Sequence, residues 1–361
     1  MFILNFIWDV VLSAISMLNS ASPWILFSFG VAGVIHEFVG TDLMKKSNIG
    51  STKLSGILSM TITGMCLPIC SCGTIPLGVS MYYSGAYLGP VLTFMTSSPM
   101  INPIAVILSL GLLGPKITLI YVLLGLFVPL LIGMIANKLG GDELYYKPAY
   151  ENKRIQLNLR KAKRTVKQRI QSGLKWSFTE LAVSVSKFTV SGMLLAGLLF
   201  TVVPQGAIQR YLGDPGLVSL LGITVVAALM YVCAVGHIPF IAAIVASGAA
   251  PGVAITFLTA GCATNIAELL SIRKMIGKRA MNLYAISVIA LSQVGGMLTN
   301  WLLPNFQPVL DFDKATNSIS SANAFIIEFP EWFQLICSLV LVGYACLALY
   351  RWAKKAMKAH A

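Results

Sequence analysis

Apolar runs and short polar breaks alternate along almost the whole chain. Runs at 3–20, 22–39, 54–70, 73–87, 88–110 and 116–137 are followed, after one long polar gap, by runs at 180–203, 216–235, 238–250, 252–272, 281–303 and 332–350. About 20 apolar residues in a helix span a bilayer, so the pattern predicts an all-α polytopic membrane protein with about 8–12 transmembrane segments. The runs 73–87 and 238–250 are too short to cross as straight helices and are expected to be re-entrant or broken. Such pieces are tolerated at membrane depth only where protein or a water-filled cavity surrounds them.

Composition narrows the class. The chain has 361 residues, 57% of them hydrophobic and 11% charged, where a soluble domain carries about 25% charged residues. With a mean hydropathy of +0.80, this excludes an ordinary soluble enzyme and a disordered chain. The first twenty residues lack a basic n-region and an obvious small-residue cleavage site, so they read as mature chain. A phosphate loop, HExxH, a nucleophile elbow and an ATPase signature are all missing, so no catalytic residue and no cofactor are expected. Uphill transport would then draw on an ion gradient or a partner ATPase.

A net charge of +13 by itself admits a nucleic-acid partner. Position removes that reading. Of the 26 basic residues, 22 fall in four places: Lys45, Lys46 and Lys53; eleven between 138 and 178; Arg273, Lys274, Lys278 and Arg279; and Arg351, Lys354, Lys355 and Lys358. The stretch 304–331 instead carries Asp311, Asp313, Glu328 and Glu331 against Lys314, and 204–216 carries only Arg210 and Asp214. Positive loops mark the inner face of a membrane protein. The central loop and the C-terminus are therefore expected in the cytoplasm of a plasma-membrane protein, with lipid as the standing partner and no nucleic acid.

The sequence also matches itself at an offset of 163. Residues 70–102 (CSCGTIPLGVSMYYSGAYLGPVLTFMTSSPMIN) and 233–265 (CAVGHIPFIAAIVASGAAPGVAITFLTAGCATN) agree at 12 of 33 positions, where composition alone gives about 3. The identities are mostly Gly, Pro, Thr and Asn, among them Gly73/Gly236, Pro76/Pro239, Gly85/Gly248, Gly89/Gly252, Thr93/Thr256, Thr96/Thr259 and Asn102/Asn265. A weaker echo pairs 26–35 with 190–199. Run 22–39 ends at an inside loop while its counterpart 180–203 begins at one, so the halves are expected to be two inverted-topology repeats with broken or re-entrant helices at the midplane, a transporter arrangement. The expected organisation is an N-terminal hydrophobic helix (1–21), a first membrane repeat (22–137), a basic cytoplasmic loop (138–179), a second membrane repeat (180–303), an extracytoplasmic loop (304–331) and a C-terminal transmembrane helix with a basic tail (332–361).

Three groups of residues stand out as carriers of chemistry. In C-L-P-I-C-S-C-G-T-I-P (66–76), Gly73, Pro68 and Pro76 argue against a continuous helix. Cys66 and Cys70 are spaced to share a face of a helical turn, with Cys72 able to swing in from the break. Converging thiols suit a soft ion such as trivalent arsenic, Cu(I) or Zn; buried cysteines also serve as small inert hydrophobes. The second half keeps only Cys233 of this set. The second group pairs T-S-S-P-M-I-N-P (96–103) with T-A-G-C-A-T-N-I (259–266). Pro99 and Pro103 free carbonyls inside an apolar helix, and Thr96, Asn102, Thr259 and Asn265 supply hydroxyls and amides for either interhelical bonding or a midplane site. The third group is ionisable. Glu268 lies one turn after Asn265, and His237 precedes Pro239 by two residues. Burying a charge at membrane depth costs about 2.5–3.5 kcal/mol on insertion scales, which makes such groups functional candidates. Glu268 is a candidate for a coupling proton or for a salt bridge with Arg273, and His237 for a ligand or a packing residue.

The strings C-x-C-G-x-I-P, S-G-A-x-x-G-P and T-F-M-T-S-S-P-x-I-N-P resemble the predicted permease family that includes the arsenical exporter ArsP. The resemblance covers both halves. It implies an inner-membrane permease of bacteria or archaea whose relatives include exporters of trivalent organoarsenicals and heavy-metal efflux proteins. It also implies that Cys66, Cys70, Cys72, Gly73, Pro76, Pro99 and Asn102 sit at the functional core. The leading reading is a secondary transporter that exports a small inorganic or organometalloid species, bound by the three cysteines and steered by Asn102, Asn265, His237 and Glu268. The alternatives are a permease for a small organic or sulfur-containing solute, with structural cysteines, and a non-transporting scaffold or sensor.

Overall fold

The structure, a computed structural model, describes residues 2–38, 50–67, 71–146, 165–202, 216–230, 232–246, 248–304, 306 and 329–359. Every regular element among them is a helix. In chain order these are α1 (Phe2–Phe38), α2 (Leu54–Cys66), α3 (Ser71–Tyr83), α4 (Leu88–Met100), α5 (Pro103–Leu112), α6 (Gly114–Leu139), α7 (Val166–Trp176), α8 (Ala182–Val202), α9 (Leu217–Met230), α10 (Ala234–Ala246), α11 (Pro251–Ala263), α12 (Ile266–Met275), α13 (Lys278–Leu302) and α14 (Glu331–Ala359).

Among the described residues, five helices are long and apolar enough to cross a membrane: Val10–Phe38, Gly114–Leu139, Pro251–Met275, Lys278–Leu302 and Glu331–Arg351. A sixth span is the pair α4–α5, bent by 41° at its break. Among the described residues, two of the expected runs contain helices shorter than a bilayer: the 13-residue α2 in 54–70 and the 14-residue α9 in 216–235. The two runs expected at 3–20 and 22–39 instead form one continuous helix, α1, with Pro23 inside it. Within the gap expected to be a loop, Val166–Trp176 folds as the amphipathic α7. It crosses α1 so closely that a Cβ on Gly33 would stand 2.6 Å from the Gly173 carbonyl oxygen. The rest of that gap, 147–164, lies outside the described residues, as do 39–49, 203–215 and 307–328.

The offset of 163 found in the sequence recurs in the folded chain, element by element. It carries α3 onto α10, α4 onto α11 and α5 onto α12 with both ends in register. The turn after α3 is closed by Ala86 N–H to Met81 O (3.0 Å) and Gly85 N–H to Tyr82 O (3.0 Å), and that after α10 by Ala249 N–H to Ile244 O (3.3 Å) and Gly248 N–H to Val245 O (3.0 Å). This double bond needs a left-handed residue, and Gly85 (φ 98°) and Gly248 (φ 101°) supply it. The long helices α6 and α13 run antiparallel: Gly295 faces Leu124, and Arg279 at the start of α13 donates from Nε to Leu139 O at the end of α6 (2.7 Å).

Each half is locked to its own long helix by the same bonds. Gly89 N–H donates to Asn137 Oδ1 (2.9 Å) and Gly252 N–H to Asn300 Oδ1 (2.7 Å). The Thr93 hydroxyl donates to Pro129 O (3.1 Å) and that of Thr256 to Ser292 O (3.3 Å). Between the halves, α3 packs on α12, α10 on α5, and α4 on α11. The exposed faces are apolar, with Phe127, Leu119, Ile286, Trp301, Leu339 and Tyr350 among the residues on them, as expected of a surface that lipid covers.

Candidate functional site at the helix breaks

Two broken helices meet in the interior. α4 ends at Met100, Ile101 and Asn102 are extended, and α5 begins at Pro103. Proline at the first helical position has no N–H to lose there, and Asn102 caps α5 by accepting the Ala105 N–H at Oδ1 (2.9 Å). In the second half Asn265 is extended and caps α12 by accepting the Glu268 N–H (2.8 Å). Ile266 stands where Pro103 stands in the first half, and α11–α12 is straight enough to count as one span. Both asparagines are buried. Each satisfies a helix N-terminus that would otherwise leave donors unpaired. Pro99 is buried in the last turn of α4.

Glu268 is fully buried in the first turn of α12. Its Oε2 accepts from Asn265 Nδ2 (3.2 Å) and its Oε1 from the Tyr284 hydroxyl (3.0 Å). The same hydroxyl lies 3.5 Å from Met95 O on α4, and the Thr96 side chain reaches it. Cys262, buried on α11, is within electrostatic reach of both Glu268 and Cys233. One buried neighbourhood therefore joins residues of α4, α11, α12 and α13. In the first half the corresponding tyrosine, Tyr121, donates instead to Met100 O, a carbonyl freed at the α4 break, and Ala105 stands where the second half has Glu268.

The other expected residues are placed differently. The hydroxyls of Thr96 and Thr259 donate to the carbonyls one turn back, Leu92 O and Ile255 O (2.7 Å each). His237 is half-buried near the start of α10; its Nδ1 lies 3.1 Å from Cys233 O and its ring packs against Phe240 and Phe257. Pro239, inside α10, is exposed, while Gly73 and Pro76, inside α3, are buried. α2 stops at Cys66, and Leu67 is extended (φ −94°, ψ 117°), so no helical turn carries Cys66 on to Cys70. Cys66 is exposed and its neighbour's carbonyl, Leu67 O, accepts from Ser98 Oγ (3.2 Å). Cys70 and the side chain of Cys72 lie outside the described residues, and so does the convergence of three thiols. Among the described residues no three His, Cys, Asp or Glu side chains group as a metal site.

Sequence reading missed Tyr284, Tyr121 and Cys262. The two tyrosines are also an identity at offset 163, as are Asn137/Asn300 and Gly133/Gly296. Extending the self-comparison past residue 102 would have found all three pairs.

Apolar helices of spanning length, with buried polar breaks where they cross, define a multi-pass membrane protein of the transporter kind. The chain belongs to the ArsP-type family described as "Predicted permease", whose model matches residues 8–301. It is 25% identical over 358 residues to the UPF0718 protein MJ0584 of Methanocaldococcus jannaschii, covering 84% of this chain and 98% of that one. It is 25% identical over 286 residues to the UPF0718 protein YcgR of Bacillus subtilis, covering 79% and 94%. No solved structure matches the chain.

Proposed function

We propose that this permease is a secondary transporter built from two repeats inserted in opposite senses, and that it exports a thiophilic metalloid or heavy-metal species such as a trivalent organoarsenical. The observation that carries the transporter reading is the pair of buried Asn-capped helix breaks, one in each half, with a buried carboxylate in the first turn after the second of them. Broken helices at a repeat interface are where secondary transporters hold their cargo. The opposite insertion is supported by the antiparallel α6 and α13. The Asn137–Gly89 bond lies at one end of that pair and the Asn300–Gly252 bond at the other. The clustering of basic residues supports a cytoplasmic central loop and C-terminus.

The substrate class rests on the cysteines. Cys66 closes α2, Cys72 lies in the first turn of α3, and the segment between them joins two helices too short to cross. A thiolate is the donor that a soft trivalent arsenical or monovalent copper prefers. Cells expressing the protein should accumulate less methylarsenite, copper or zinc than cells without it, and a Cys66/Cys70/Cys72→Ser variant should lose the effect. Equal accumulation and tolerance for all three species would sink the reading. Transport retained by the triple variant would instead favour a small organic or sulfur-containing solute.

A further inference from the structure

We propose that Glu268 binds a proton and that Tyr284 converts its protonation into a change of contact between the two halves. This rests on the permease reading and deepens it by naming the coupling ion and the residue that transmits it. The Tyr284 hydroxyl has an acceptor on each half, Glu268 Oε1 at 3.0 Å on its own and Met95 O at 3.5 Å on the other, and the Thr96 hydroxyl beside it is itself engaged with Leu92 O. A hydroxyl has one proton to donate. An ionised carboxylate is the stronger acceptor, because charge-assisted bonds are about twice as strong as neutral ones. Ionised Glu268 therefore holds the hydroxyl and leaves Met95 O without it.

When Glu268 takes up a proton it becomes a donor, and the Tyr284 oxygen, 3.0 Å from Oε1, is in reach as an acceptor. The Tyr284 proton then turns to Met95 O. One proton enters at the carboxylate, no covalent bond other than that O–H forms or breaks, and the result is a hydrogen bond from α13 to α4 that the ionised state lacks. The first half shows the same tyrosine without a carboxylate: Tyr121 donates to a main-chain carbonyl, Met100 O, and Ala105 offers nothing to compete. Asn265 holds the carboxylate in place from its other oxygen (3.2 Å).

The surrounding ionisable groups are distributed over every element packed on α12. α13 presents Tyr284 and, at its start, Lys278 and Arg279; α8 presents Lys187, a like charge beside Lys274; α3 ends in Tyr83, within reach of Glu180; α11 presents Cys262; and α12 itself carries Arg273 and Lys274. Of these, Tyr284 and Cys262 are the buried ones that interact with Glu268.

The test uses the full chain in lipid nanodiscs and needs no transported substrate. Acid-minus-alkaline infrared difference spectra should show a protonated-carboxyl C=O band with a component that vanishes in Glu268→Gln. Amide hydrogen exchange at the C-terminal turn of α4 should slow on acidification by roughly fivefold, which corresponds to a bond of about 1 kcal/mol. Tyr284→Phe should keep the carboxyl component and lose the α4 response. A spectrum unchanged in Glu268→Gln, or an α4 response in Tyr284→Phe equal to that of the wild type, would overturn the proposal. If the protein moves no metalloid or metal while these responses appear, the substrate reading fails and the proton site stands.

Discussion

Asn137 on α6 accepts the backbone N–H of Gly89 at 2.9 Å and donates from Nδ2 to Thr52 O at 3.2 Å, so one side chain fixes the start of α4 and the approach to α2. The fit leaves no room at the glycine. A Cβ on Gly89 would stand 2.2 Å from Asn137 Oδ1 and 2.5 Å from Gly133 O, and one on Gly252 would stand 2.1 Å from Gly296 O. A backbone oxygen cannot rotate away. Gly89→Ala and Gly252→Ala should each destabilise the purified protein by about 1–3 kcal/mol, read as a fall in apparent Tm in detergent. Gly30→Ala, where nothing lies within 4 Å of the added carbon, is the control and should change Tm little.

The halves are clamped at one end by Glu143. Its carboxylate accepts the backbone N–H groups of Arg279 (3.2 Å) and Ala280 (2.5 Å), which open α13. A carboxylate there also suits the positive end of the helix dipole. Gly277 makes room for it, since a Cβ at that position would lie 2.0 Å from the Glu143 carboxyl carbon. Loss of such a cap costs about 0.5–2 kcal/mol. Glu143→Ala and Gly277→Ala should each lower stability, and the double variant should lose less than the two single losses added together. Strict additivity in that cycle would show that the two sites are independent.

The caps at the breaks make a graded pair. Asn102→Ala should cost about 0.5–2 kcal/mol through the lost bond to the Ala105 N–H. Asn265→Ala should cost more, because the same change removes the Nδ2 donor from the buried Glu268 carboxylate, and depriving a buried charged group of a partner adds about 1–3 kcal/mol. Chemical denaturation of the two variants side by side checks the order. A larger loss for Asn102→Ala would mean that the carboxylate does not depend on Asn265.

Much of this was readable in the chain because the repeat conserves residues for backbone reasons. Gly85/Gly248, Gly89/Gly252, Thr93/Thr256 and Asn102/Asn265 are the turns, close approaches, cross-helix bonds and caps of the two halves. Thr96 and Thr259, expected to serve either interhelical bonding or a midplane site, each donate to the preceding turn, where a threonine inside an apolar helix readily satisfies its hydroxyl. Lengths were harder to read. Nothing in the apolar run 3–39 marks where a helix stops, because Pro23 is accommodated within α1. In 54–70, by contrast, Pro68 signals a break, and α2 stops two residues before it at Cys66. Tyr284 escaped notice because an aromatic residue in a membrane helix carries no signal of polarity until its hydroxyl is seen against Glu268 and Met95 O.

Cysteine reactivity separates a substrate path from a lipid-facing surface. Cys66 and Cys233 are exposed beside the short helices, Cys346 is exposed on α14, and Cys262 is buried. The thiolate is the reacting species and forms only where water reaches the sulfur. If the short helices line a hydrated path, a charged methanethiosulfonate should modify Cys66 and Cys233 but neither Cys346 nor Cys262. A Cys70→Ser/Cys72→Ser background removes the neighbouring thiols, and single-cysteine versions of each site read the modification by mass. Arsenite-class compounds should protect Cys66 in the otherwise unaltered 66–72 segment and should leave Cys346 unprotected. Modification of Cys346 as fast as Cys66 by the charged reagent would remove the distinction, and with it the case that the end of α2 faces the path of the substrate.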